Sequence, residues 1–247
     1  MPERRTLMKE LSIVIPCYNE AGNIPLIIDK LEQVLKNEDP KNIEIILVNN
    51  GSTDNTKQIL DEELKKTSIN SFKVVDVMPN QGYGYGILAG LEDASGKLLA
   101  WTHADMQTDP YDVIKAYKLY MEQNKESLFV KGKRKNRKLL EAFFTWGMQI
   151  VSFFVLKTYL DDINAQPKLF SRLFYENNIK GQAPNDFSLD LYTLYQAKRN
   201  DYQILTMPVY FNKRIHGEAK GGGSWKTKIK LIKRTFAYIF ELVPKPK

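Results

Sequence analysis

The sequence has one cysteine, Cys17, in 247 residues, which excludes an internal disulfide and a thiolate zinc site and suits a reducing compartment. Long apolar runs are missing too. The stretch Ala142 to Leu156 carries no charge, but at about 15 residues it is shorter than the roughly 20 that cross a bilayer, so a buried or interfacial helix is expected there. Met1 to Thr6 is basic with no apolar stretch behind it, so no signal peptide is expected, and the reducing compartment read from Cys17 makes the cytoplasm the expected one. Internal repeats and low-complexity tracts are absent. No glycine fingerprint follows the first apolar run; the turn there is Pro16-Cys17-Tyr18-Asn19-Glu20, which disfavours a nicotinamide dinucleotide enzyme. Nucleic-acid-binding motifs are lacking as well, so no nucleic-acid partner is expected.

What is present begins with charge. The net charge is +7, and the basic residues concentrate in Lys131 to Lys138 and Lys213 to Lys233, which points to anionic partners such as phosphates or lipid headgroups. The apolar and charged fractions are those of an ordinary globular chain, and the length suits one α/β domain.

Strand-like and helix-like segments alternate through the first half: Leu11 to Ile15, Ile24 to Leu35, Ile43 to Val48, Thr53 to Lys66, Phe72 to Val77, Tyr83 to Ala94 and Lys97 to Trp101. This alternation predicts a mostly parallel, doubly wound, Rossmann-like α/β sheet with helices on both faces. The second half reads as a helix from Pro110 to Gln123, a strand from Ser127 to Lys131 and a basic loop to Lys138. The apolar helix, a strand near Lys168 to Phe170, a helix from Asp186 or Leu189 to Lys198 and a strand from Tyr202 to Tyr210 follow. We expect a catalytic domain over 8–220 and a basic amphipathic helix and tail over 221–247. That final helix, Trp225 to Val243, lines up Ile229, Ile232, Phe236, Ile239, Phe240 and Val243, with lysines clustered at its start. It fits an anionic membrane surface, or equally a helix docked on the sheet with solvated lysines.

Ligands of such sheets bind beyond the carboxyl ends of the strands. The residues just past those ends are Pro16 to Glu20, Asn49 to Asp54, Pro79 to Gly84 and His103 to Asp105. Asn49-Asn50-Gly51-Ser52-Thr53-Asp54 supplies amides and a turn, with Ser52 or Asp54 able to cap a helix whose N–H groups suit an anion. His103, Asp105 and Gln107 alternate, and in extended backbone alternate side chains share a face. Three such groups can hold one Mg²⁺ or Mn²⁺ ion, the imidazole tilting the choice towards Mn²⁺. The competing reading has Asp105 capping a turn before Pro110 and His103 as an ordinary satisfied polar residue.

Taken together, Ile15 to Glu20, Val48 to Thr56, Asn80-Gln81-Gly82-Tyr83-Gly84 and Ala104-Asp105-Met106-Gln107 resemble, in order and spacing, the family-two glycosyltransferases with the A-type fold. The resemblance is to the branch of dolichol-phosphate mannose synthases and polyprenyl-phosphate sugar transferases, and runs from about Leu11 to Lys220. It implies that Pro16, Tyr18, Glu20, Asn50, Ser52, Gly82 and Ala104 bind the nucleotide, and that Asp105 and Gln107 meet the metal. The chain departs from the family in having His103 for the first aspartate of the Asp-x-Asp motif and Asn49-Asn50 for an aspartate pair. Both changes remove negative charge, and they leave the donor base open.

By the same resemblance Arg134, Lys168, Arg214 and Lys220 contact donor or acceptor phosphates. Transfer is expected to be inverting, with a nucleotide-sugar donor, a polyprenyl-phosphate or glycan acceptor and a divalent cation. Asp190 and Asp186, which precede a helix, are the candidate general bases, with helix capping as the other role for Asp186. An alternative is a nucleotide-sugar-binding protein that has lost turnover, since the expected acids are replaced.

Overall fold

The computed structural model describes residues 8–39, 42–123, 125, 127–135, 139–217 and 225–243. A seven-stranded sheet runs in the order β3-β2-β1-β4-β6-β5-β7. Its strands are β1 (Leu11–Cys17), β2 (Ile43–Asn50), β3 (Phe72–Val77), β4 (Leu98–Trp101), β5 (Leu128–Lys135), β6 (Lys168–Ser171) and β7 (Gln203–Tyr210). β1 pairs in parallel with both β2 and β4, so the chain reverses its direction of winding beside β1, and a crevice opens at the carboxyl ends of β1 and β4. β6 runs antiparallel to both β4 and β5.

The central strands are buried on both faces. Leu11, Ile13 and Ile15 of β1 enter one core with α1 (Ile24–Lys36), α2 (Thr56–Lys66) and α4 (Tyr111–Glu122). Val14 enters the other, with α3 (Tyr83–Asp93), α5 (Leu139–Leu156), α6 (Arg172–Asn178), α7 (Leu189–Arg199) and α8 (Trp225–Glu241). This is the period-two alternation of a strand covered on both sides. α3 lies close on the sheet at Gly90, where an added Cβ would meet Val14 Cγ1 at 2.4 Å and Val48 Cγ2 at 2.8 Å.

Two segments differ from the sequence reading. β5 continues to Lys135 where a basic loop was expected after Lys131, because Arg134 and Lys135 register with Val209 and Tyr210 of β7. Backbone pairing carries the strand past the apolar run that marked it. α6 was not anticipated; Ser171 begins it by accepting a hydrogen bond from Phe174 N at 3.2 Å.

α8 is docked, with Tyr238 and Ile239 buried in the second core, while Ile229, Phe240 and Val243 remain exposed. The face read from the sequence is therefore split between the core and solvent. Among the described residues no helix is long and apolar enough to cross a membrane.

The far end of the sheet is tied by Glu44. Its Oε1 accepts from Ser12 Oγ at 2.5 Å and Ser95 N at 2.5 Å, and its Oε2 lies 3.1 Å from Lys73 Nζ. Burial works to raise the Glu44 carboxyl, but the hydrogen bonds from Ser12, Ser95 and Lys73 outweigh it and leave the group below its ordinary range. A folded-state value below the unfolded one means stability that is complete above about pH 4.3 and lost as pH falls through the folded value. Glu44→Gln is expected to cost about 1–3 kcal/mol in urea titrations at pH 7. It should also flatten the acid limb of a stability–pH profile, and an unchanged acid limb would show that the carboxylate is not what ties these strands.

Candidate functional site

A cavity of about 470 Å³ lies at the carboxyl ends of the strands. Its lining includes Pro16 near the end of β1 with Tyr18 and Glu20 beyond it, Asn50 at the end of β2, Gly82 and Tyr83 opening α3, His103, Ala104, Asp105 and Gln107 after β4, Arg134 on β5, and Arg214 after β7. Asn164, Phe187 and Asp190 close the side beside α7.

On the β2 side an amide chain fixes the wall. Asn50 Nδ2 donates to Gly82 O at 3.0 Å, Asn80 Nδ2 donates to Asn50 O at 2.6 Å, and Gly82 N donates to Asn80 Oδ1 at 2.9 Å. Gly82 holds φ +120°, and a Cβ there would come within 2.4 Å of Asn185 O, so no other residue fits this wall. Asn50 Oδ1 is buried with no hydrogen-bond partner among the described residues. Asn49 points away from the cavity, donating to Asp76 Oδ1 at 2.9 Å. Ser52, expected at the nucleotide, does not line the cavity; its Oγ accepts from Asn19 N at 3.1 Å and braces the turn after β1.

His103, Asp105 and Gln107 all line the cavity, but not through the extended backbone assumed from their spacing. Met106 takes φ +57°, and Asp105 Oδ1 accepts from Gln107 N at 3.1 Å, so a tight turn gathers them. Asp105 Oδ2 accepts from Arg214 Nη2 at 2.7 Å, and Arg214 Nη1 lies 3.5 Å from Glu20 Oε1. Burial, against the pull of Asp105 and Asp190, lowers His103 below its usual range, so it is neutral at pH 7. Among the described residues no three His, Cys, Asp or Glu side chains cluster to hold a metal. A cation held here would use Asp105, the His103 imidazole, the Gln107 amide and oxygens from its own ligand. Such a donor set suits a hard ion that arrives with a diphosphate.

Asp190, at the first turn of α7, is 3% exposed and borders the cavity. Its Oδ1 accepts from Gln166 Nε2 at 3.0 Å and from Lys168 Nζ, and its Oδ2 accepts from Tyr83 Oη at 3.2 Å. Lys168, expected as an anion contact, is instead fully buried and ion-paired with Asp190. Its neighbour across the β5–β6 ladder, Lys131, is also buried, and burial pushes it down to about 8. Arg134 reaches the cavity, oriented by Asp162, whose Oδ1 lies 2.9 Å from Arg134 Nε and whose Oδ2 lies 2.7 Å from Arg134 N. Asp186, the other candidate base, is outside the cavity; it accepts from Ser188 N at 2.8 Å and from Arg234 Nε at 2.7 Å, which ties α7 to α8. Lys220 lies outside the described residues.

Sequence reasoning passed over Tyr83, Gln166 and Phe187. Tyr83 stacks on Phe187 with ring centroids 4.7 Å apart and its hydroxyl joins His103 to Asp190. The signal available was an aromatic residue set between Gly82 and Gly84 at a helix start.

The family model described as Glycosyl transferase family 2 matches residues 12–177. A dolichyl-phosphate beta-glucosyltransferase of Trichomonas vaginalis is 28% identical over 234 residues, covering 90% of this chain and 72% of that protein. A dodecaprenyl-phosphate galacturonate synthase of Rhizobium johnstonii is 26% identical over 238 residues, covering 95% of this chain and 65% of its own length. Among solved structures, glucosyl-3-phosphoglycerate synthase of Mycobacterium tuberculosis, with Mn²⁺, UDP and glucosyl-3-phosphoglycerate, superposes with a TM-score of 0.71 at 16% identity. That match covers 97% of this chain and 81% of the other. A mannosyltransferase of Pyrobaculum calidifontis, with GDP-Man and Mn²⁺, superposes with a TM-score of 0.66 at 18% identity, covering 98% and 67%. At these identities the structural matches establish the fold.

Proposed function

The chain belongs to glycosyl transferase family 2, and from that premise we propose that it moves a sugar from a nucleotide-sugar donor to a polyprenyl phosphate, with inversion at the anomeric carbon. The observation that carries the proposal is one cavity bordered at one side by Tyr18, Glu20 and Asn50 and at the other by Arg134 and Asp190, with Asp105 and Arg214 among its lining. In this reading the nucleoside sits against Pro16, Tyr18 and Asn50, and the diphosphate lies at Asp105 and Arg214. The acceptor enters beside Arg134 and Asp190.

When bound at Asp105, Gln107 and His103, Mg²⁺ or Mn²⁺ would neutralise the diphosphate and make it a better leaving group. Arg214 supplies fixed positive charge to the same departing oxygens, and Arg134 supplies it to the incoming phosphate. Both Asp190 oxygens already accept hydrogen bonds, which leaves them poorly placed to take a proton from a hydroxyl. A phosphate monoester is anionic at neutral pH and needs no base, which favours a lipid phosphate over a glycan hydroxyl as acceptor.

The test is a thermal-shift screen against nucleoside diphosphates of each base, with and without Mn²⁺ or Mg²⁺. A cation-dependent rise with one base is expected, about 2.7 kcal/mol of stabilisation at 100 times the dissociation constant. No rise with any diphosphate would sink the donor assignment.

We place the protein at the cytoplasmic face of the membrane as a peripheral enzyme. In support, α5 and α8 pack on each other and leave Phe153, Phe154, Phe240 and Val243 exposed, with Lys230 and Lys233 in solvent on α8. Vesicles containing anionic lipid should sediment the protein, and Phe154→Ser with Phe240→Ser should weaken this severalfold while leaving the nucleotide-dependent melting shift intact. Equal sedimentation with neutral vesicles, or none at all, contradicts the reading.

A further inference from the structure

Tyr83 Oη is the meeting point of three other side chains from three parts of the chain. It lies 3.0 Å from His103 Nε2, 3.2 Å from Asp190 Oδ2 and 3.4 Å from Gln166 Nε2, and its ring is stacked on Phe187. We propose that Tyr83 is a positioning residue that holds His103 as the Nε2–H tautomer, so that the Nδ1 lone pair is the one left to ligate the cation. The second half of that statement rests on the proposed function, whereas the tautomer does not.

The argument is a count of protons and lone pairs. A phenol has one hydrogen to give and two lone pairs to receive. Asp190 is the acceptor in this cluster, since it is ion-paired with the buried Lys168 and both Lys168 and the Gln166 amide donate to its Oδ1. The single Tyr83 proton therefore goes to Asp190 Oδ2. A phenol, with an ordinary value of about 10, keeps that proton at neutral pH. With its hydrogen committed, the phenol oxygen can only accept from its remaining neighbours. Gln166 Nε2 is one donor, and His103 Nε2 has to be the other.

A neutral imidazole carries one N–H, and the bond made by one nitrogen fixes the state of its partner. Nε2–H towards Tyr83 leaves Nδ1 bare. Nδ1 has no hydrogen-bond partner among the described residues, and the ring borders the cavity beside Asp105. This also accounts for the departure at position 103. An aspartate there would set a second carboxylate against the Tyr83–Asp190 pair, whereas an imidazole anchored by Tyr83 brings a neutral ligand.

The chain has two histidines, so full-length protein carrying His216→Gln and ¹⁵N-labelled histidine reports on His103 alone in long-range ¹H–¹⁵N spectra. The expected wild-type pattern at pH 7 is Nε2 protonated and Nδ1 bare. Tyr83→Phe keeps the ring stack on Phe187 and is expected to lose that single-tautomer pattern. A wild-type spectrum showing Nδ1–H or imidazolium, or a Tyr83→Phe spectrum identical to wild type, overturns the assignment. The cation step is read by broadening of the His103 ring signals with Mn²⁺ and inorganic pyrophosphate. The midpoint should rise about 10–100-fold in Tyr83→Phe, and an unmoved midpoint, or no broadening of wild type, overturns that step. Because the tautomer is read without nucleotide, its failure is distinguishable from failure of the nucleotide-dependent melting shift.

Discussion

Asp190→Asn is expected to lower the melting temperature by about 6–20 °C. The stability loss comes from Lys168, which is completely buried and whose ammonium is ion-paired to Asp190. Removing one partner of a buried pair leaves a desolvated charge, at a cost of about 3–5 kcal/mol, and each kcal/mol moves the melting point by about 2–4 °C in a chain of this size. Burial already pushes Lys168 downward against the pull of Asp190; without Asp190 nothing of that strength opposes it. A lysine whose folded-state value is below its unfolded one binds fewer protons folded than unfolded, so stability rises with pH. The deficit of Asp190→Asn should therefore shrink from pH 7 to pH 9. Adding Lys168→Met removes the stranded charge and should recover most of the melting temperature. If Asp190→Asn alone melts within about 2 °C of wild type, the pair is not what holds α7 to β6.

Much of the scaffold around that pair was legible in the sequence, because β1 to β4 are apolar runs that end in polar turns, and the crevice forms where those turns collect. Tyr18, Glu20, Asn50, Gly82, His103, Asp105 and Gln107 were found this way, and all of them line the cavity. Arg134 and Arg214, which also line it, were named only through family resemblance. The signal failed where tertiary contacts overrode local pattern. Ser52 has the chemistry of a ligand-binding turn but spends its hydroxyl on Asn19. Lys168 was named as an anion contact through the family resemblance alone, and only the antiparallel run of β6 puts it underneath Asp190. Asp186 was a candidate base until Arg234, 48 positions along the chain, claimed it. Tyr83 was quoted within a motif and given no role, since its three hydrogen-bond partners are at least 20 positions away.

Arg214→Ala is expected to tighten binding of Mn²⁺ alone while cutting transfer by about 10²–10³-fold, two effects of opposite sign from one substitution. The guanidinium donates to Asp105 at 2.7 Å and lies near Glu20 at 3.5 Å, so before any donor arrives it neutralises the one carboxylate of the expected metal-holding turn. A cation has to compete with it for Asp105, and removing the competitor should improve Mn²⁺ affinity by about 10-fold, or ~1.4 kcal/mol. Once a diphosphate is present, the same guanidinium has a better partner in the departing phosphate oxygens, and its loss removes charge where charge develops. Arg214→Lys keeps the charge but not the two-pronged geometry, and should fall between wild type and alanine in transfer. Asp105→Asn should weaken Mn²⁺ binding and transfer together, because it deletes the ligand itself. Calorimetric titration of Mn²⁺ beside a transfer assay separates these cases. Should Arg214→Ala weaken Mn²⁺ binding as Asp105→Asn does, the arginine is bracing the turn that carries Asp105, and the exchange between cation and guanidinium does not take place.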